Sequence, residues 1–477
     1  MATEAVLALG SNVGNRVAHL EQAVRGLAAR GVRVTRLSGL YDTSPAHVHE
    51  QPRFLNAVAL ASTELQPHDL LAAAKAQESA QGRPLHSGQR FGPRPLDVDL
   101  MLYGSERVLD GDILQVPHPR LRERPFVLKP LEDLLSGSLT RCSTQPDLHS
   151  QLHWWRSFVD EWRNAGGSEG DGGLVRVFPC AHGKMLQMSC RSGYPHGSRP
   201  LVAGAVNATP DSFSDGGVAF APERAGDAAE QLAQEGADII DVGGESTRPG
   251  AEPVGEEEEL SRVLPAIDAI QQRPLPAHVL LSVDTYRANV ASRAIREGAH
   301  IINDVSGGSL DKRMHSVAAE SSAAYVLGHM RGTPQTMQAT KHTSYSDVCQ
   351  EVGTELGESV SSALTDAGLP TWRAWLDPGL GFAKGFDGNL ELMRNLRSVR
   401  ANVYRGGGDD GAPVMVGPSR KGFLGTLTGV QEPSERDYAT SSAVSACVAA
   451  GADAVRVHNA RGGADAASVA HALWSHR

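Results

Sequence analysis

The chain has 477 residues with 45 Lys+Arg and 55 Asp+Glu, a formal net charge of −10. That charge argues against broad attraction to nucleic acid or anionic lipid, so any phosphate ligand must meet local clusters of Arg and Lys. No apolar run approaches the roughly 18 residues of a spanning helix, and 5% aromatic content is sparse for a surface that stacks single-stranded nucleic acid.

The length is that of about three average domains, or two if one is a large barrel. Cys142, Cys180, Cys190, Cys349 and Cys447 form no C-x-x-C and are odd in number, which fits reduced, scattered thiols better than a disulfide framework or a zinc site. An apolar strand begins almost at once, leaving no room for a cleavable leader. The expectation is a cytoplasmic chain as written, although a trimmed precursor from the mitochondrial matrix would look the same.

Residues 1–135 read as one domain. Glu4–Leu9 is a strand, and Asn15–Arg30 a helix with Val17, Leu20, Ala23, Val24 and Leu27 on one face. Val32–Leu40 and Phe54–Ala61 are strands, Pro67–Gln81 is a helix opened by its proline, and Leu96–Leu102 is a strand. The order β-α-β-β-α-β predicts a ferredoxin-like α+β two-layer domain. Residues 136–198 read as a linker because of the Gly-rich run 166–173. Trp154, Trp155 and Trp162 just before that run predict a short helix packing one domain on the other. From 199 to 477 the pattern is strict alternation. Strand candidates are Leu201–Val206, Ala237–Val242, Val279–Val283, His300–Asn303, Ala324–Leu327, Trp372–Leu376, Pro413–Val416 and Ala454–Val457. Eight β-α units predict a TIM (β/α)8 barrel. The run Gly406–Gly411 reads as a surface insertion, because no strand enters it and no helix leaves it.

Asp97 and Asp99 stand two apart on a strand, so their carboxylates share one face while Leu96, Val98 and Leu100 turn to the core. Alone, the pair reads as a solvated strand face. With Arg90, Arg94, Arg120, Arg122 and Arg124 in flanking segments, it suits Mg²⁺ and a polyphosphate. A P-loop is excluded by its missing motif.

In the barrel, polar groups follow the strands, at the face where barrel sites form. They are Asn207; Asp241 with Glu245-Ser246-Thr247-Arg248; Asp284; Asn303-Asp304; His329-Met330; Asp377; Ser419-Arg420-Lys421; and Arg456-Val457-His458-Asn459. Asp284, Asn303 and Asp377 suit the donor-rich edge of a pyrimidinone ring, and Arg248, Lys421, Arg456 and His458 suit a diphosphate. Neither a nucleophile–base pair nor a zinc set is evident, which disfavours hydrolysis.

Two family resemblances follow. Leu9-Gly10-Ser11-Asn12, the run 51–56 (QPRFLN), the run 90–99 (RFGPRPLDVD) and Val116-Pro117-His118-Pro119 together resemble 6-hydroxymethyl-7,8-dihydropterin pyrophosphokinases over residues 4–131. The resemblance implies Mg²⁺ on Asp97 and Asp99 and ATP as co-substrate. It implies Asn56 on the pterin, Phe54 and Phe126 stacking on it, and Thr43 beside it. Arg83, Arg94, His118 and Arg124 would contact phosphates, with Leu71 and Glu78 near the nucleotide.

The runs 207–217 (NATPDSFSDGG), 241–250 (DVGGESTRPG), 282–285 (SVDT), 302–307 (INDVSG), 377–382 (DPGLGF) and 419–421 (SRK) resemble dihydropteroate synthases over about residues 200–475. That resemblance implies Asn207 as a Mg²⁺ ligand, with Arg248, Arg456 and His458 on the departing pyrophosphate. Asp284, Asn303, Asp377 and Lys421 would hold the pterin, with Met330 nearby. Thr247, Pro249, Phe382 and the backbone at Lys421–Gly422 would line up p-aminobenzoate. Asn459 departs from the family, which has Asp there.

The two resemblances are consecutive steps, so the expectation is a bifunctional folate-biosynthesis enzyme acting on small molecules, with no nucleic-acid or membrane partner. Pairing of two copies through the barrel is left open. The alternatives are a barrel for methyl transfer, disfavoured by Arg248 and Lys421, and a first half that only binds pterin or docks, while the synthase half alone is active.

Overall fold

The computed structural model describes residues 2–45, 50–83, 92–111, 113–135, 146–167, 173–187, 199–209, 222–248, 250, 252–403 and 412–474. The Arg90–Phe91 pair, the run 210–221, Pro249 and the insertion at Gly406–Gly411 lie outside the described residues. The chain divides into two compact units with the boundary after Phe178.

The first unit opens with β1 (Thr3–Ser11) and α1 (Arg16–Ala28). Asn15 caps α1 by accepting from the Ala18 N–H at 3.1 Å, and the helix buries Val17, Leu20, Ala23 and Leu27, the face its period marks out. β2 (Val32–Leu37) and β3 (Leu40–Thr43) break the single strand expected over 32–40. Ser38 makes the break, its backbone N–H donating to Val58 O and its hydroxyl accepting from the Val58 N–H. β4 (Phe54–Thr63), α2 (Pro67–Ala80), β5 (Asp97–Tyr103), the hairpin β6 (Val108–Asp110) and β7 (Leu114–Val116), and α3 (Pro125–Leu135) follow. The sheet runs β5-β1-β4-β3 antiparallel, with β2 also on β4, which is the ferredoxin-like order. Gly10 of β1 pairs with Asn56 on one side and Asp97 on the other, so three neighbouring strands bring these positions into one row.

The stretch 136–198 is more than a linker. It carries α4 (Pro146–Asn164) and β8 (Val175–Pro179), and β8 extends the first sheet by pairing with β3. Leu152, Trp155, Phe158 and Val159 of α4 join α3 over the sheet face that carries Val6, Val58, Leu60 and Leu102. The three tryptophans therefore serve this unit's own core, and the run of glycines misleads because the elements on either side of it belong to one unit. Trp155 is fully buried, and its indole N–H donates to Gly104 O at 3.1 Å.

After β9 (Met185–Gln187) the second unit forms a parallel sheet of β10 (Leu201–Asn207), β11 (Ile239–Gly243), β12 (Leu280–Asp284), β13 (Ile301–Asp304), β14 (Ala324–Gly328), β15 (Ala374–Asp377), β16 (Met415–Val416) and β17 (Ala454–Val457). Neighbours run β15-β14-β13-β12-β11-β10-β17-β16. A parallel bridge between Leu376 and Val414 joins the two ends and closes the (β/α)8 barrel. Its helices are α5 (Pro222–Gln234), α6 (Glu256–Gln271), α7 (Ala288–Arg296), α8 (Met314–Ser321), α9 (Thr340–Thr343), α10 (Val348–Ser361), α11 (Phe386–Arg394), α12 (Leu396–Val403), α13 (Gly422–Thr428), α14 (Asp437–Ala449) and α15 (Ala460–Trp474). Parallel strands end on one face, so Asn207, Asp284, Asn303 and Asp377 share a rim. No described helix is long and apolar enough to cross a membrane. Cys180, Cys349 and Cys447 are buried free thiols.

Trp155→Ala should destabilise the first unit by about 3–5 kcal/mol, the usual cost of deleting a buried indole. Urea unfolding of that unit checks it, and a loss below about 1 kcal/mol would mean that α4 is not part of its core.

Candidate active sites

A cleft of about 390 Å³ opens in the first unit where Gly10, Asn56 and Asp97 meet. Gly10 is required there: a Cβ would lie 3.0 Å from Asn56 Oδ1 and 3.7 Å from Asp97 Cβ. Asn56 donates to Thr43 Oγ1 at 2.6 Å, and Phe54 lines the same wall. Asn12 ties two segments together. Its amide N–H group donates to Gln51 Oε1 and Pro52 O at 3.1 Å each, while its Oδ1 accepts from the Arg94 N–H at 2.7 Å. The short Gly-Ser-Asn string therefore carries both a close approach and a clamp.

Asp97 and Asp99 project into the cleft from β5, each ion-paired to arginine. Arg83 and Arg94 hold Asp97, the latter at 3.2 Å, and Arg124 holds Asp99 at 2.8 Å. Burial would raise the Asp97 pKa, but Arg94, Arg83 and Lys75 outweigh it and keep the carboxyl below its ordinary range. Two ionised carboxylates on one face fit a Mg²⁺ ion whose remaining ligands are water and phosphate oxygens.

His118 follows β7. The Arg120 N–H donates to its Nδ1 at 3.1 Å, so the neutral ring carries its proton on Nε2. Burial, with Arg124 next, lowers its pKa and favours that neutral form. Phe126 also lines the cleft, with the Arg124 guanidinium 5.7 Å from its ring centroid.

Three expectations change here. Glu78 is buried away from the cleft. It accepts from the Val98 N–H at 2.8 Å and from Lys75 at 2.7 Å and pairs with Arg83 at 2.8 Å, so it acts by holding cations. Leu71 does not line the cleft; Lys75, four residues further along α2, does. Arg122 turns away to Glu161 at 2.8 Å and stacks on Phe158. Lys75 escapes sequence reading because a lone lysine on a helix looks like any solvated one.

In the second unit a cavity of about 680 Å³ occupies the C-terminal mouth of the barrel. Its floor is a charge network. Arg456 donates to Asp241 Oδ2 at 2.5 Å and to Asp284 Oδ2 at 2.8 Å, and Asn303 donates to Asp241 Oδ2 at 3.0 Å. The resemblance puts Arg456 on a diphosphate; its guanidinium instead spans two buried carboxylates that would otherwise stand unneutralised. Oδ1 of Asp241 and Oδ1 of Asp284 are buried and have no hydrogen-bond partner among the described residues. Asp284 lines the cavity, and an orphaned acceptor there calls for a donor-rich ligand. Burial pushes Asp284 up to about 7 against the pull of Arg456. Asp377 is also raised by burial, although the Gly379 N–H donates to it at 2.8 Å.

Over this floor sit the cations. Lys421 lies 4.1 Å from the centroid of the Phe382 ring, and burial, helped by Arg456, lowers it to about 8. Burial, reinforced by the cations Arg456, Arg420, Arg248 and Lys421, lowers His458 to about 3 and keeps it neutral. The Ser419 hydroxyl accepts from the His458 backbone N–H at 3.1 Å and pairs with the ring Nδ1 at 2.8 Å. Thr247, Arg248 and Asn207 line the cavity.

Several neighbours hold the frame instead. Glu245 pairs with Arg287, and Arg420 pairs with Asp437 at 2.8 Å. Asp304 accepts from the Ser306 and Gly308 N–H groups and from Tyr325. Met330 is packed with Met337 and Ala383 against Phe382, behind the cavity wall. Asn459 explains its own departure: it donates to Asp437 at 3.1 Å and accepts from the Gly462 N–H at 2.9 Å, whereas an aspartate would repel Asp437. Lys384, buried beside His329 and lining the cavity, is missed by the sequence reading.

Comparison with known proteins agrees with this geometry. Residues 6–136 match the family model of 7,8-dihydro-6-hydroxymethylpterin-pyrophosphokinase, and residues 203–458 match that of pterin binding enzymes. The chain is 44% identical to a mitochondrial folate synthesis bifunctional protein of Arabidopsis thaliana, covering 99% of this chain and 84% of the relative. It is 43% identical to one of Pisum sativum, covering 98% and 89%. The dihydropteroate synthase of Xanthomonas albilineans, solved with 4-aminobenzoic acid, superposes with a TM-score of 0.53 at 36% identity, covering 62% of this chain and 98% of that one.

Because the folded Asp284 pKa of about 7 exceeds its ordinary 3.8, the folded state keeps a proton that the unfolded chain loses. The stability this contributes is full below about pH 4 and is lost as pH rises to 7. Asp284→Asn should therefore flatten the decline of second-unit stability across that window. Urea unfolding at several pH values checks it, and an unchanged slope would contradict the assignment.

Proposed function

The chain belongs to the bifunctional folate synthesis proteins, a hydroxymethyldihydropterin pyrophosphokinase unit followed by a dihydropteroate synthase unit, and from that premise we propose how its residues divide the work. The domains run from 1 to about 178, with α4 and β8 inside the kinase, and from there to the end.

In the first cleft, Asn56 and Thr43 read the pterin edge while Phe54 and Phe126 cover its faces. Asp97 and Asp99 would hold Mg²⁺, which supplies charge neutralisation to ATP. Arg83, Arg94 and Arg124 leave their carboxylate partners for phosphate oxygens, and His118 donates from Nε2. The hydroxymethyl oxygen attacks the β-phosphorus of ATP, AMP leaves, and the pterin gains a diphosphate. Glu78 is a positioning residue for Arg83 and Lys75.

In the second cavity, the orphaned acceptor of Asp284 beside Asn303 supports a pyrimidinone ring more directly than any other feature. Asp377 and Lys421 complete its frame, and Arg456 sets the two acids. Arg248 and the neutral His458 face the diphosphate with Asn207, which would offer an oxygen to Mg²⁺. The carbon–oxygen bond to the diphosphate breaks, and the developing negative charge is met by those donors. The amine of p-aminobenzoate, aligned by Thr247 and Phe382, forms the new carbon–nitrogen bond and loses its proton. The presence of both Asp97 and Asp99 with their arginines disfavours a purely docking first half. The mitochondrial names of two relatives support testing a mitochondrial address.

Asp97→Ala and Lys421→Ala form the test. The first should abolish diphosphoryl transfer and spare synthesis from supplied pterin diphosphate. The second should spare the kinase and cost the synthase step about 2–4 kcal/mol, roughly 30- to 1,000-fold in kcat/KM. Steady-state rates of both steps on both variants decide it, and loss of both activities in either folded variant would contradict the division.

A further inference from the structure

Between Asp377 and α11 runs a loop that carries Phe382. Gly379, Gly381 and Ala383 hold φ values of +69°, +80° and +50°, a left-handed backbone that alanine adopts only at some cost. Such a loop keeps its shape through outside ties. Asn389 accepts from the Gly381 N–H at 2.7 Å, and Tyr345 donates to Ala383 O at 2.9 Å. The centre of the loop is held by Lys384, whose ammonium faces three acceptors: Phe382 O at 2.8 Å, His329 O at 3.1 Å and His329 Nδ1 at 2.8 Å. Three N–H groups meet three acceptors. The fit is close, since a Cβ on Gly379 would fall 2.1 Å from His329 O and 3.2 Å from Lys384 Nζ.

The side chain is only 3% exposed, and among the described residues no carboxylate forms an ion pair with it. Its support comes through the imidazole: His329 accepts from Lys384 on Nδ1 and donates from Nε2 to Glu355 at 2.9 Å. Stability alone would favour an apolar residue here.

Resting on the synthase reading above, we propose that Lys384 is a positioning residue of the second site, and that the relay Lys384–His329–Glu355 fixes the aromatic wall, Phe382, against which the aminobenzoate is aligned. The charged form is required. A neutral amine has two N–H groups for three acceptors, and a switch of the His329 tautomer would end its Nε2–H donation to Glu355, leaving that carboxylate to Arg331 alone. The charged groups around Lys384 are Asp377 on β15, Glu355 on α10, Arg331 after β14, and Lys421 after β16, with His329 beside it. Burial, opposed by Asp377 and Glu355, lowers the ammonium to about 7, so the latch opens as pH rises through neutrality.

The test is steady-state kinetics of the full chain on supplied pterin diphosphate, from pH 6 to 9, with KM and kcat resolved for each substrate. In the wild type, KM for p-aminobenzoate should climb above about pH 7. Lys384→Met should raise that KM about tenfold, flatten its climb near pH 7 while leaving any contribution of Lys421 and Asp284, and change KM for the diphosphate by less than about threefold. Glu355→Gln, at a partly exposed position, should fold even if Lys384→Met does not. It removes a charge that favours the ammonium, so the climb should begin at lower pH. Unchanged KM in Lys384→Met, equal losses for both substrates, or an unmoved pH profile in Glu355→Gln would overturn the proposal. A wild-type chain that makes no dihydropteroate from the diphosphate would overturn the synthase reading itself, and with it this inference.

Discussion

A carboxylate taken out of water must be neutralised, and in both units arginine does it. Asp97 and Asp99 are held by Arg83, Arg94 and Arg124, and Asp241 and Asp284 by Arg456. The surrounding architecture follows from these pairings. Glu78 is buried because Arg83 and Lys75 need a counter-charge behind the cleft. In the barrel, Arg456 binds one oxygen of each acid and leaves the other without a partner among the described residues, and of the two acids Asp284 lines the cavity.

The two sites use arginine differently because their chemistry differs. Diphosphoryl transfer gathers negative charge in one place, and the kinase cleft brings Asp97 and Asp99 together with Arg83, Arg94 and Arg124. Breaking a carbon–oxygen bond with diphosphate as leaving group needs donors fixed in advance. The synthase cavity accordingly keeps a neutral histidine, a lysine lowered by burial, and a rigid acid floor. One lysine lies over the Phe382 ring and another donates to its carbonyl, so this aromatic residue is held from two sides at the cavity wall.

Backbone periodicity and strand-end motifs were legible in the sequence, and tertiary pairing was not. The β-α alternation marked all eight barrel strands to within a few residues, and the spacing of Asp97 and Asp99 put them on one face. The break at Ser38 depends on a hydroxyl that meets β4 across the sheet, which no local pattern reveals. Arg456 and Arg122 read as available cations, yet their partners lie far away in the chain, at Asp241 and Glu161. Glycines beside tryptophans suggested a linker, whereas α4 is amphipathic and its buried face is part of the first core. Lys384 follows Phe382 by two residues, and nothing near it in sequence announces that it is buried. Its significance emerges only when β14 brings His329 against it.

The central claim is that one chain joins the oxygen of a pterin alcohol to a diphosphate in one unit and breaks that alcohol's carbon–oxygen bond in the other. The most direct measurement supplies the chain with ATP, Mg²⁺, p-aminobenzoate and a hydroxymethyldihydropterin carrying ¹⁸O in its hydroxyl, and follows the label by mass spectrometry. The account predicts that dihydropteroate is unlabelled and that the released pyrophosphate carries the ¹⁸O. Label in AMP or in water, with the pyrophosphate unlabelled, would contradict it.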